Sequence, residues 1–190
     1  MKNSLIKKIV VSGAVVVGMF AFGGVMPASA STVTPNNGHF ASRTVTYHIN
    51  SSSKHWQKVW KKAIHKFGHN GTIKLKATTK KKAQLTLTTV AKFKNHGTWD
   101  ASWSDDDATG VRTSARLRLS RKDCNEKLYI AKINTIVYGE SRYPVEAIAA
   151  GVGLDHSTKN KGSLMNDNEW HSNLTKGDKL GLAEAYANVK

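Results

Sequence analysis

Cysteine is nearly missing from this chain of 190 residues, since Cys124 is the only one. A lone cysteine cannot form a disulfide within the chain, which excludes the small secreted domains that disulfides hold together. Cys124 also lies in no local catalytic motif, so we interpret it as an ordinary thiol. Folding must therefore depend on the packing of apolar side chains, helped at most by a metal.

Long apolar runs are missing after residue 30, so the sequence predicts no membrane-spanning helix in the remainder of the chain. The one long run, residues 9–25, follows three lysines and precedes an Ala-Ser-Ala triplet that ends at Ala30. This order is typical of a secretory signal peptide with its cleavage site after the triplet. We therefore expect removal of residues 1–30 and a secreted, extracellular protein; the alternative is an uncleaved anchor helix.

Acidic residues are scarce as well, with 13 Asp and Glu against 29 Lys and Arg. Three of the basic residues and none of the acidic ones lie in the predicted signal, so the mature domain carries a formal net charge of +13. Such an excess favours anionic surroundings, whether cell-wall polymers, phospholipid headgroups or nucleic acid. The alternative is a well-solvated surface with no particular partner.

Nucleic-acid signature motifs and a phosphate-binding glycine loop are both missing from the sequence. We therefore expect no specific nucleic-acid partner. The charge favours anionic cell-wall polymers or the cell surface as the partner. We expect the protein to be a monomer, and any association with the cell wall to result from its charge.

Apolar periodicity and turn residues divide the mature chain into elements of both kinds. Residues 31–42 are polar and contain a Pro-Asn-Asn-Gly stretch, which predicts a flexible lead-in to a domain over residues 43–190. Period-two alternation predicts four strands, at residues 44–49, 73–77, 83–90 and 116–120. Residues 95–110 are interpreted as a long loop, and residues 121–143 receive no assignment.

The segment Lys54–Phe67 has the clearest helical pattern, with apolar residues at spacings of three and four and serines before it that can cap the helix. Lysines cover the rest of its surface. A basic amphipathic helix can lie on a membrane, but the neighbouring strands favour packing against a sheet. We expect anionic polymers to bind eight lysines of this helix and of the following Lys-rich turn: Lys54, Lys58, Lys61, Lys62, Lys66, Lys80, Lys81 and Lys82.

Two further helices are predicted near the C-terminus. Pro144 suits the first turn of a helix that glycines at positions 151 and 153 would end. Thr175 and Asp178 have the spacing of a capping box that begins the last helix. The acidic run at residues 105–107 lacks the spacing of an EF-hand, so a solvated loop is favoured over a cation site there.

The stretch from Glu146 to Met165 carries a resemblance to a known family. It resembles the metzincin signature, H-E-x-x-H-x-x-G-x-x-H followed by a Met-turn, and more narrowly the matrixin branch, through Gly-Leu-Asp-His-Ser and Ser-Leu-Met. The resemblance implies an α/β (α+β) zinc-protease fold. It comprises a twisted mixed sheet with a long helix behind it, an active-site-type helix, a Met-turn and a C-terminal helix.

The departures from the signature fall on the catalytic residues. Gly153, His156 and Met165 match the turn glycine, the third zinc ligand and the Met-turn. Glu146 stands where the first zinc histidine belongs, Ala147 occupies the position of the general base, and an alanine at 150 replaces the second histidine. Two zinc ligands and the proton acceptor for zinc-bound water are thus changed.

The resemblance therefore implies a degenerate, catalytically inactive matrixin-like domain that acts as a basic binding protein. Two alternatives remain, a zinc endopeptidase with an altered site and a cationic membrane-active protein. No cofactor is expected, except zinc if Glu146 and His156 still hold a metal with help from Asp155, His96 or His171. Otherwise Glu146 is an exposed helix residue and His156 an ordinary turn histidine.

Overall fold

Alternating apolar residues build a five-stranded sheet in the order β2-β1-β3-β5-β4. The computed structural model describes residues 33–95, 97–130 and 135–190, so the predicted signal peptide lies outside the described residues. The strands are β1 Thr44–Ile49, β2 Lys74–Ala77, β3 Leu85–Val90, β4 Trp99–Asp105 and β5 Arg112–Ser120. The first four neighbours in this order are parallel to one another, and β4 is antiparallel to β5 at one edge.

Four helices and a hairpin complete the described part of the chain. The helices are α1 Lys54–Phe67, α2 Arg121–Cys124, α3 Tyr143–Gly151 and α4 Lys176–Ala185. The hairpin pairs β6 Lys127–Ile130 with β7 Thr135–Tyr138. The fold is thus a mixed α/β arrangement, as expected from the sequence, and its sheet is mostly parallel. The helix over Lys54–Phe67 and the capping box of α4 are confirmed.

Helices α1 and α3 pack against each other on one face of the sheet. The apolar stripe of α1 is buried there, and so are the inward residues of the central strands, such as Leu87 and Leu117. The predicted stripe of α1 therefore contributes to the core, and its lysines face outward. Among the described residues, no helix has the length and apolar character that crossing a membrane requires.

One prediction about local structure is wrong. Residues 95–110 are not one loop, because β4 forms there by pairing with β5, from Trp99 opposite Leu119 to Asp105 opposite Arg112. The predicted lead-in, described over residues 33–42, contacts the rest of the domain. Its Phe40 is buried in the core, and the backbone N–H of its Thr34 donates to the carbonyl of Gly177.

Candidate functional site

Helix α3 is buried on nearly every side, because its sequence from Pro144 to Gly151 is apolar except for Glu146. Only 2% of the surface of Glu146 is exposed. The interpretation of Glu146 as an exposed helix residue is therefore wrong. The reason is that α3 is enclosed between α1 and strands β4 and β5, so even its polar residue lies inside the protein.

Arg142 supplies the counter-charge for this buried carboxylate. Its Nε donates to Oε2 of Glu146 over 2.7 Å, an ion pair at a spacing of four residues with both side chains almost fully buried. The rest of the guanidinium donates to the carbonyl oxygens of Leu164, Asn166 and Glu169. Arg142 thus fastens the start of α3 to the chain segment that contains Met165.

His156 lies between two carboxylates. Its Nε2 is 3.5 Å from Oε1 of Glu146, and its Nδ1 is 3.1 Å from Oδ1 of Asp167. The indole ring of Trp99 lies beside the imidazole, with 5.4 Å between the ring centroids. The structure therefore brings together the two residues predicted as vestigial ligands, Glu146 and His156.

These residues line an open cleft of about 390 Å³ between α3, the start of β4 and the segment after α3. The lining residues are Gly97, Thr98, Trp99, Arg142, Tyr143, Glu146, His156 and Asp167. The cleft is thus a mixture of aromatic walls and paired charges. Burial raises the pKa of Glu146, an effect that the neighbouring Arg142 and His156 oppose.

The described residues fit a zinc site poorly, although ligand atoms of Glu146, His156 and Asp167 lie within 4.8 Å of one another. A catalytic zinc takes three protein ligands that converge on one point. Here one oxygen of Glu146 already accepts from the Arg142 guanidinium, whose positive charge repels a metal ion. Glu146 and Asp167 also face opposite nitrogens of the His156 ring, and one ion cannot bind both nitrogens.

Two of the other predicted helpers have other partners. The Asp155 carboxylate accepts from the backbone N–H of His156, and His171 is 3.1 Å from the Glu169 carboxylate. His96 lies outside the described residues. Asp167, which was not predicted, lies beside His156 instead.

The remaining motif residues are placed by packing. Ala147 is fully buried and does not line the cleft. Gly153 adopts a φ of +123°, and a Cβ atom there would lie 2.0 Å from the carbonyl oxygen of Gly38. Met165 is fully buried in the core. Close approach of the N-terminal segment is thus a sufficient reason for glycine at position 153.

The eight predicted polymer-binding lysines occupy two separate surfaces. Lys54, Lys58, Lys61 and Lys62 are exposed on the outer side of α1. Lys66 is only half-exposed, because its Nζ donates to the carbonyl oxygens of Ser141 and Ser172, and burial lowers its pKa. The three lysines of the turn Lys80–Lys82 are exposed elsewhere, beside β1.

Two other candidates for chemistry have structural partners. The Asp106 carboxylate accepts from the backbone N–H groups of Ala108 and Thr109 and from the Thr109 hydroxyl, which closes a turn and lowers its pKa. Cys124 is fully buried, and burial raises the pKa of its thiol to about 12. Both findings agree with the solvated loop and the ordinary thiol expected from the sequence.

Neither a protein-family model nor a curated protein matches this sequence. The resemblance to matrixins therefore remains a prediction that depends on the motif at residues 146–165.

Proposed function

We propose that this protein is an exported, matrixin-like domain that has lost peptidase activity and binds anionic polymers at the cell surface. The observation that carries the proposal is the buried ion pair between Arg142 and Glu146, which occupies the position of the first zinc ligand. Because the Arg142 guanidinium already neutralises the Glu146 carboxylate, that carboxylate has no need of a cation.

The family part of the proposal is supported by the order of elements and by the motif. A strand, a long helix, further strands with an antiparallel edge strand, a buried helix, a methionine turn and a C-terminal helix follow one another along the chain. The motif contributes Gly153, His156 and Met165 after the buried helix α3. This order is what the resemblance implies for a matrixin-like domain.

The loss of activity follows from what the cleft residues can do. A metalloprotease needs three ligands for zinc and a carboxylate that takes a proton from the bound water. Ala147 can move no proton, and removing a general base alone typically slows a reaction by about 10²–10⁴-fold. Glu146 and His156 remain, but Arg142 holds the former.

The binding part of the proposal is supported by charge. The mature domain has a formal net charge of +13, and the lysines on α1 and on the turn Lys80–Lys82 are exposed apart from Lys66. Attraction of this kind must weaken with salt, because the screening length falls from about 10 Å at 0.1 M to about 3 Å at 1 M. Retention on anionic cell walls at the two salt concentrations tests this part.

Incubation with zinc and an unfolded protein substrate tests the inactive-enzyme part. We expect the natural protein to take up no zinc tightly and to show no chelator-sensitive cleavage. The matched variant carries Glu146→His, Ala147→Glu and Ala150→His, together with Arg142→Gln so that no buried guanidinium is left unpaired. We expect this variant to bind zinc through three histidines.

A control for the rebuilt site adds His156→Ala to that variant, which should abolish zinc uptake. Chelator-sensitive cleavage by the natural protein would overturn the proposal and favour an endopeptidase with an altered site. If the variant with four substitutions folds but takes up no zinc, the gap-free alignment of residues 146–156 with the metzincin signature is wrong.

A further inference from the structure

The sheet has one face covered by α1 and α3 and a second face, here called the open face, that none of the four described α-helices covers. Side chains alternate along a strand, so the neighbours of the buried residues point to the open face. Thr46 follows buried Val45, and Arg116 lies between buried Ala115 and Leu117. The open face therefore carries hydroxyl and basic side chains where the covered face carries apolar ones.

Six exposed cations lie on or beside the open face: Lys74, Lys76, Lys80, Lys81, Lys82 and Arg116. None of them forms an ion pair within the part of the chain that the structure describes. The carboxylate of Asp100, on the same face, is already paired with Arg118. These six charges are thus available to an external anion.

Strand register places threonines of β1 and β3 between the lysines of β2 and Arg116 of β5. Lys74 and Lys76 on β2 pair with Thr44 and Thr46 on β1, and Arg116 on β5 pairs with Thr86 on β3. From β2 to β5 there are three strand spacings of about 4.8 Å, or about 14 Å in all. A single small anion cannot reach both sides, whereas a polymer with repeated charges can.

The turn Lys80–Lys82 lies over the β1 part of this face. The Thr46 hydroxyl, which points to the open face, donates to the carbonyl oxygen of Lys82 over 3.0 Å. The side chain of Gln84 also accepts from the backbone N–H of Thr46. These bonds hold the backbone of the turn in place, so its three lysines extend from a fixed position at the rim of the open face.

The open face differs from the outer side of α1 in the kind of contact that it offers. The hydroxyls of Thr44 and Thr86 can donate to anionic oxygens, and the guanidinium of Arg116 can bind two of them at once. The lysines of α1 offer only flexible point charges. Tryptophan and tyrosine, on which nucleic-acid bases stack, are not found among the described open-face residues of β1, β2, β3 and β5, and Nδ1 of His48 on this face lies 3.3 Å from the carbonyl oxygen of Thr78.

We propose that the open face binds a linear polymer with phosphodiester charges in its backbone. Arg116 and the hydroxyls of Thr44 and Thr86 contact the phosphate oxygens, and the lysines of β2 and of the turn Lys80–Lys82 flank the chain. This assignment rests on the proposed function, since it names the surface and the class of anionic polymer that the domain binds.

Titration of labelled poly(glycerol phosphate) into the full mature domain at several salt concentrations tests the assignment. The open-face variant carries Lys74→Gln, Lys76→Gln, Lys81→Gln and Arg116→Gln. The matched helix variant carries Lys54→Gln, Lys58→Gln, Lys61→Gln and Lys62→Gln, which removes the same charge. All eight positions are exposed, so both variants should keep the fold, as circular dichroism would check.

We expect the slope of log K against log salt to fall in magnitude by about 2–3 in the open-face variant. This figure follows from about 0.7 per phosphate contact on a single-stranded polyanion. The helix variant should keep nearly the natural slope. A larger loss in the helix variant, or equal losses in both, would overturn the open face as the binding surface and leave the proposed function standing.

Two further binding measurements test the class of polymer, one with a single-stranded oligonucleotide and one with whole cell walls. Tighter binding to a single-stranded oligonucleotide than to poly(glycerol phosphate) would overturn the class of polymer. Failure of the natural protein to bind poly(glycerol phosphate), with retention on whole cell walls, would do the same. Failure on both would overturn the proposed function as well.

Discussion

Glu146 and Asp178 are the two carboxylates that the described part of the structure buries, and they are held in opposite ways. Asp178 accepts from neutral donors alone: the hydroxyls of Thr34, Ser163 and Thr175, and the backbone N–H groups of Leu164 and Thr175, all between 2.6 and 2.9 Å. These bonds join the N-terminal segment, the turn at residues 163–166 and α4.

Glu146 has a charged donor and a histidine ring around it instead. Arg142 donates to one of its oxygens, and His156 lies 3.5 Å from the other. Neutral hydrogen bonds at Asp178 satisfy a carboxylate whose place is structural. Charged groups that border an open cleft could serve chemistry or binding, but here they mostly satisfy one another. The difference separates the part of the domain that stabilises the fold from the part where the motif at residues 146–165 predicts an active site.

The largest effect should come from removing the guanidinium. We expect Arg142→Met to lower the free energy of unfolding by about 3–5 kcal/mol, because it leaves the Glu146 carboxylate buried without its partner. Urea unfolding measures this loss. Adding Glu146→Gln should recover part of it, because no buried charge then remains. A loss below about 1 kcal/mol would mean that Glu146 is not held by charge.

A smaller loss should follow Asp178→Asn, about 1–3 kcal/mol for a buried donor left unsatisfied. An amide keeps one acceptor oxygen, so if that oxygen faces the N–H groups of Leu164 and Thr175, the NH2 group faces hydroxyls that now donate to the carboxylate and must turn to accept. Thermal unfolding of this variant beside Thr175→Val, which removes the capping hydroxyl together with one donor to Asp178, compares loss of the carboxylate with loss of a single side-chain donor. Equal stability of Asp178→Asn and the natural protein would show that the hydrogen bonds to the carboxylate do not stabilise the fold more than those of an amide of the same shape.

The smallest effect should be the pH dependence that Glu146 contributes. Because burial raises its pKa above the ordinary value of 4.5, the folded protein binds this proton more tightly than the unfolded chain does. The stabilisation is therefore fully present below about pH 4.5 and is lost as the pH rises through the folded pKa.

Urea midpoints of the natural protein and of Glu146→Gln between pH 4 and pH 8 test the sign of this effect. We expect the stability of the natural protein relative to Glu146→Gln to fall as the pH rises. A relative stability that increases with pH would show that attraction to Arg142 lowers the pKa of Glu146 by more than burial raises it. Glu146 would then resemble Asp178 in being stabilised as a carboxylate.

The candidate site was only partly predictable from the sequence. The motif brought Glu146 and His156 into consideration, and the structure places them side by side. Trp99 and Asp167 were not predicted, because the first lies in a stretch interpreted as a loop and the second has no partner nearby in sequence. Arg142 was missed because it lies in the stretch of residues that received no assignment, directly before α3 begins.

The sequence by itself determined the elements that short-range contacts define. The apolar stripe and the Ser53 cap specify α1, and Thr175 with Asp178 specifies the start of α4, because helix periodicity and capping involve residues at most four positions apart. Only the tertiary structure decided that β4 is a strand, since its hydrogen bonds are made with β5. It also decided that Glu146 is buried, and that the lysines lie on two surfaces. Burial and pairing depend on segments that are distant in the chain, and no local pattern records which of those segments will meet.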